Sequence, residues 1–204
     1  MLGRTRRWRN GPMDEGCTQL LIAAGRGDAE ASGQLFARLY EELRHCARRQ
    51  LRGRVGSLVS TTVLVHETYL KLIHAERLEA GSRGHFMALA ARAMRQVLVD
   101  DARRIGAEKR GGQALFVTLD ERLPDAADEA LEVLALDRAL TTLEAVDARA
   151  ARVVHLHFFA GLTFPEIATL ENLNERTVKR DWQAARGLLA AEMKADGDGA
   201  AASA

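Results

Sequence analysis

The chain has 204 residues, of which 47% are apolar and only 5% aromatic, and its 29 basic and 28 acidic side chains leave a net charge of +1. That length suits one or two small domains with real cores, and the dominance of Ala, Leu, Arg and Glu favours an all-α fold. No apolar run is long enough for a membrane-spanning helix. Cys17 and Cys46 form no CxxC, which fits two ordinary thiols in a reducing cytoplasm.

The chain opens on MLGRTRRWRNGPMDEG, basic but followed by no apolar run, so it fails as a secretory signal. Residues 1–16 are either a basic arm or a leader to a start at Met13. Leu35 to Arg54 reads as a helix with Leu35, Phe36, Leu39, Leu43, Ala47 and Leu51 along one side, ended by Gly53 and Gly56. Thr61 or Thr62 caps a second helix running to about His74. Gly81 and Gly84 mark a turn. A third helix covers about His85 to Ile105, with Phe86, Leu89, Ala90, Ala93, Val97 and Leu98 as its apolar stripe. Arg92, Gln96, Val99 and Arg103 form a different, mostly basic side.

Gly106 to about Ala130 is poorly periodic and reads as a linker, set at 109–130; VTLDE within it (Val117 to Glu121) fits a short extended piece or a helix start. Helices then follow over Leu131 to Val146 and Ala148 to Phe159. The Gly/Ala/Asp-rich tail, 195–204, has the composition of a disordered end. Charge is segregated along this order. Six Arg lie between Arg38 and Arg54 and six basic residues between Arg92 and Arg110, whereas seven acids face only Arg122 between Asp120 and Asp137. Two cationic modules joined by an acidic connector point towards nucleic acid.

The most informative stretch is GLTFPEIATLENLNERTVKRDWQAARGLL, Gly161 to Leu189. Thr163 and Glu166 make a capping-box pattern, and Pro165 sits in a first helical turn, where a missing amide proton does little harm. The short helix ends near Glu171–Asn172, and Asn tolerates the left-handed conformation of a tight turn. Asn174 caps the next helix. There Val178, Trp182, Ala185 and Leu189 share one side, while Arg176, Lys179, Arg180, Gln183 and Gly187 share the other. This is the pattern of a helix-turn-helix whose second helix enters the major groove.

These residues carry a family resemblance. Glu166, Ile167, Ala168, Thr177, Val178, Lys179, Ala185, Arg186 and Leu189 match the promoter-binding domain of the extracytoplasmic-function (ECF) sigma factors, bacterial members of the sigma-70 family. LVHETYLKL, Leu64 to Leu72, resembles that family's polymerase-binding helix. HFMALAARAMRQVLVDDARR, His85 to Arg104, resembles its minus-10 helix, with matches at Phe86, Arg95, Asp100, Arg103 and Arg104. The three regions keep the family's order and spacing over roughly Leu20 to Glu192. Departures are Ser60, Thr61, Thr62 and Val63 in place of an acidic run, Leu89 for the usual Trp, Gln96 for Asn, and Glu171 for a buried Leu.

The resemblance implies an all-α protein of two small helical domains joined by a flexible acidic linker. Domain 17–108 would bind polymerase and the minus-10 strand. Domain 131–194, a helix-turn-helix, would read the minus-35 duplex. Implied partners are core RNA polymerase, through the clamp helices of its largest subunit and its flap, and promoter DNA; an anti-sigma factor or another regulator is a further partner the family admits. Leu64, Glu67, Tyr69, Leu70 and Lys71 would contact polymerase. Arg92, Arg95, Gln96, Arg103 and Arg104 would hold the minus-10 strand. Arg176, Thr177, Lys179, Arg180 and Gln183 would meet the duplex. The resemblance implies a cytoplasmic protein that is not an enzyme and has no cofactor or metal.

Competing signals are weak. His66–Glu67 begins like HExxH, but the second His position is Leu70. His155 and His157 point to different sides of a helix. GRGDAEASG, Gly25 to Gly33, lacks the Gly-Lys-Ser/Thr ending of a phosphate loop. The alternatives are a helix-turn-helix regulator acting without polymerase, or an enzyme or helical adaptor with a merely solvated basic face.

Overall fold

Asp28 sets the first corner of the fold. Its carboxylate accepts the Ala31 amide at 3.0 Å and so caps α2 (Ala29–Gln50), while Gly27, at φ +88, turns the chain back from α1 (Glu15–Gly25). The helix expected from Leu35 therefore starts six residues earlier, and α1 precedes it. The computed structural model describes residues 15–52, 59–73, 82–110 and 126–201, and every regular element among them is helical. The basic arm, Gly53, Gly56, Gly81, the VTLDE stretch and residues 111–125 of the linker lie outside the described residues.

The helix α3 covers Thr61–Ile73 and α4 covers Arg83–Arg110. Leu35, Leu39 and Leu43 of α2 meet Leu64, Val65 and Leu72 of α3 and Phe86, Met87 and Met94 of α4 in a closed core. Phe86 is thus a core residue, 2% exposed, as its place in the apolar stripe implied. Full burial of each such side chain contributes about 1.5–3 kcal/mol. Arg83 ties the start of α4 to Glu42 of α2 with two hydrogen bonds, one of them 2.9 Å.

The second module begins with α5 (Ala126–Val146), so the last residues of the expected linker are helical and Glu129 and Ala130 are buried. Asp147 then caps α6 (Ala148–Val154) by accepting the Arg149 and Ala150 amides at 3.1 and 2.9 Å. The helix widens at His155–Phe159 into a π-turn, in which the Ala160 amide reaches the His155 carbonyl at 2.9 Å. This extra residue turns Phe159 into the core and leaves Phe158 half-exposed. Gly161, at φ +83, leads into α7 (Phe164–Leu170), and α8 spans Glu175–Ala201. The helix α8 runs on into the tail expected from 195, as far as Ala201.

The two modules pack on one another, chiefly through α4 against α5 and the π-turn. Arg49 of α2 donates to the carbonyls of His157 and Phe158 at 3.1 and 3.2 Å, a cation placed on the helix-terminal carbonyls of the other module. The Cys46 thiol donates to the Phe159 carbonyl at 3.1 Å. Burial pushes that thiol up to about 11, which leaves it an inert hydrogen-bond donor rather than a nucleophile.

Candidate nucleic-acid and polymerase interfaces

The helix-turn-helix is built from its caps. The Thr163 amide and hydroxyl both donate to the Glu166 carboxylate at 2.6 Å, completing a capping box with Pro165 in the first turn of α7. Asn172, at φ +53, makes the turn in the left-handed region that Asn tolerates. The Asn174 side chain accepts the Arg176 amide at 2.8 Å and starts α8. Ile167, Val178 and Ala185 are fully buried between the two helices. Glu171, where the family has a buried Leu, is half-buried and paired with Arg152 at 3.3 Å, while Leu170 turns into the core beside it.

Three aromatic rings brace the motif from below. His157 stacks on Phe164 with centroids 4.3 Å apart, meets Trp182 edge-on at 4.7 Å, and bonds the Leu162 carbonyl through Nδ1 at 2.8 Å. Asp181, on the inner side of α8 and only 4% exposed, is gripped by Arg149 of α6 at 2.6 and 3.2 Å. That clamp was not foreseeable from spacing, because Arg149 is thirty-two positions away.

The outer face of α8 presents Arg176, Lys179, Arg180 and Gln183, all exposed, with Thr177 half-buried at their edge. Lys179 pairs with Glu175 at 2.6 Å, one turn earlier, and Arg180 leans on Asp181 at 3.7 Å. The Lys179–Glu175 pair is solvent-exposed on both sides, whereas Arg180 is exposed and its partner Asp181 buried, so both basic groups stay at the surface. The first turn of this helix and its basic face are therefore open to a phosphate backbone.

The basic face of α4 is arranged differently. Arg92, Arg95, Gln96, Val99 and Arg103 line one crevice of about 250 Å³, together with Asp137 and Thr141 of α5. Arg95 pairs with Asp137 at 3.6 Å, Arg103 with Asp137 at 3.8 Å, and Arg92 with Glu144 at 3.4 Å. Burial pushes the Arg95 guanidinium below its ordinary value, with Asp137 pulling the other way. Arg104 does not join this group; it pairs with Asp101 at 2.7 Å. Behind the crevice lies His155, which burial and the nearby Arg95 and Arg92 push down to about 4, so it is neutral in the fold.

On α3 the expected polymerase contacts divide. Leu64 is fully buried and belongs to the core, a correction to its expected place on the binding face. The phase of the helix explains this, since Leu64, Val65, Thr68 and Leu72 define the inner side. Tyr69 packs its ring on Phe36 at 4.5 Å, and Lys71 bonds Asp100 of α4 at 2.8 Å. The outward stripe consists of Val63, His66, Glu67, half-buried Leu70 and Ile73, with Val63 46% and Ile73 41% exposed. Val63 and Ile73 were missed because the apolar pattern of TTVLVHETYLKLI fits several helix phases until its neighbours choose one. Among the described residues no group of His, Cys, Asp or Glu is placed to hold a metal ion, and no helix is long and apolar enough to cross a membrane.

The ECF RNA polymerase sigma factor BldN of Streptomyces coelicolor is 27% identical over 163 residues, which are 79% of this chain and 60% of that protein. The chain thus spans less than two thirds of that relative's length. The structure of CnrH in complex with the cytosolic domain of CnrY is 22% identical and covers 89% of this chain and 99% of its own, at a TM-score of 0.40. The ECF sigma factor family matches residues 14–195, nearly the whole chain. Its members are transcription initiation factors rather than enzymes, and this all-α chain belongs to it.

Proposed function

We propose that the chain binds core RNA polymerase and directs it to promoters. The observation that carries this reading is the presence of three separate surfaces in one chain. They are the mixed apolar and charged stripe of α3, the arginine face of α4 and the open basic face of α8. A regulator that only bound duplex DNA would need the third alone.

In this reading Val63, Leu70 and Ile73 are the apolar anchors of the polymerase contact, and Glu67 and His66 set its rim. Tyr69 and Lys71 position α3 from behind, through Phe36 and Asp100. Arg92, Arg95 and Arg103 hold the phosphates of the opened minus-10 strand, with Gln96 available to a base edge. Arg176 and Arg180 read bases of the minus-35 duplex, Lys179 holds phosphate, and Gln183 and Thr177 flank them. Functionally the chain divides into a polymerase and minus-10 module, 17–108, and a minus-35 module, 131–194.

The test is to map transcription start sites made by bacterial core polymerase on genomic fragments of the host, with and without the chain. New starts should appear, sharing two sequence elements at a fixed separation upstream. Start sites identical to those of core polymerase alone would refute the reading. Salt-sensitive duplex binding without new starts would instead fit a helix-turn-helix regulator.

A further inference from the structure

Among the described residues of α8, Asp181 is the only buried acid, and it directly follows Arg180, whose side chain lies on the outer face. Both of its oxygens are engaged. Oδ2 accepts from Arg149 Nε at 2.6 Å, and Oδ1 accepts from Arg149 Nη2 at 3.2 Å. Oδ1 also lies 3.7 Å from Arg180 Nε. The two-pronged grip of Arg149 fixes the plane of the carboxylate. Stability alone does not call for a charge at this place. A buried carboxylate loses its hydration, and apolar partners of similar size commonly hold two helices as firmly.

The basic groups of the outer face differ in what stands behind them. Lys179 rests on Glu175, whose side chain is 43% exposed. Arg176 has no carboxylate partner among the described residues. Arg180 alone leans on a carboxylate that is buried and clamped from another helix. Adjacent residues on a helix do not face each other, so this contact gives the Arg180 stem a definite direction. With its Nε edge towards Asp181, Arg180 keeps both terminal nitrogens free of partners among the described residues.

We propose that Asp181 is the positioning residue of Arg180: held by Arg149, it fixes the direction in which the Arg180 fork meets the minus-35 duplex, and so sets how strictly one base pair is read. This rests on the reading of Arg180 as a base-contacting residue. An arginine held in one orientation gives up less freedom on binding and accepts only a base edge in line with its fork. Arg176, without such a brace, adapts to more than one partner geometry.

The experiment uses the full chain and a pool of DNA duplexes with a randomised core, sequenced before and after binding. Four chains are compared: wild type, Asp181→Asn, Arg180→Ala and the double variant, each with its urea midpoint measured. Asp181→Asn should flatten the preference at one base pair by about fivefold or more, the low end of what one base contact is worth. Arg180→Ala should flatten the same base pair. The asparagine should add nothing in the Arg180→Ala background, as expected if it acts through that side chain. Asp181→Asn should also bind the unselected pool at least as tightly as the wild type, because a negative charge near the phosphates is gone. Arg149→Lys keeps a cation beside the carboxylate but loses the two-pronged grip, so it should weaken the preference at that base pair too; it supplies the answer if Asp181→Asn does not fold. A preference flattened by Arg180→Ala but left intact by Asp181→Asn, or by Arg149→Lys in its stead, would refute the positioning role and leave base reading standing. So would a change in Asp181→Asn that falls on all sequences alike. If Arg180→Ala leaves every position unchanged, the base-reading assignment fails and the positioning role fails with it.

Discussion

Ile167→Ala should lower the unfolding free energy by about 2–5 kcal/mol, whereas Ile167→Val should cost only about 0.5–1.5 kcal/mol. Ile167 is fully buried where α7 crosses α8, among Val178 and Ala185. A residue of seven-residue α7 has few neighbours to relax into the space, because the helix is pinned at one end by the capping box and at the other by the left-handed Asn172. The cavity therefore stays open, and its lining loses contacts outright. Urea unfolding measures the difference. The same variant should lose duplex binding near its unfolding midpoint before α1–α4 lose their core. A cost for alanine below about 1 kcal/mol would mean that the helix-turn-helix is not held together at this point.

The second large effect concerns the outer face of α8. Arg176→Ala and Arg180→Ala should each reduce discrimination between promoter and random duplex by about 1–3 kcal/mol if the guanidinium reads a base. Lys179→Ala should weaken all sequences alike and reduce the salt dependence by about one counterion. The difference in kind follows from geometry. Arg presents a planar fork that matches a base edge, and Lys is a point charge on a flexible stem already resting on Glu175. Titrations of promoter and random duplex at several salt concentrations separate the two behaviours. Unchanged discrimination in both arginine variants would remove base reading from this pair.

Much of this was legible in the sequence because the deciding interactions are local. The turn at Asn172, the Asn174 cap and the Thr163–Glu166 box each span five residues or fewer, and all were expected from residue types and spacing. The division of α8 into a buried and a basic side likewise follows from helical period alone. The start of α2 was readable too, since Asp28 is a good cap, but Gly25, Gly27 and Gly33 around it imitate a loop.

What could not be read depends on distant partners. Leu64 matched its expected motif, yet motif matching does not fix which side of a helix faces the core. That is decided by α2 and α4, which enclose Leu64. The π-turn at His155–Phe159 has no local composition signal; it lets Phe159 enter the core while Arg49 of another module bonds the freed carbonyls. Asp137 closed the acidic run within the helix expected over Leu131 to Val146 and read as one more surface charge. Only the packing of α5 on α4 gives its charge a specific partner in Arg95 and Arg103. Residues whose roles are tertiary pairings of opposite charge look, in sequence, like solvated surface.

The most direct test of the polymerase contact is co-elution of the purified chain with bacterial core RNA polymerase on a sizing column, for the wild type and for Val63→Asp. Val63 is preferable to Leu70 here because it is 46% exposed, so a carboxylate there leaves the α3 core undisturbed. A sigma-factor role predicts a stable complex for the wild type that is lost in Val63→Asp, with the helix content and unfolding midpoint unchanged. Wild-type protein that elutes apart from core polymerase, or a Val63→Asp chain that binds as well as the wild type, would contradict the α3 surface as the polymerase-binding site.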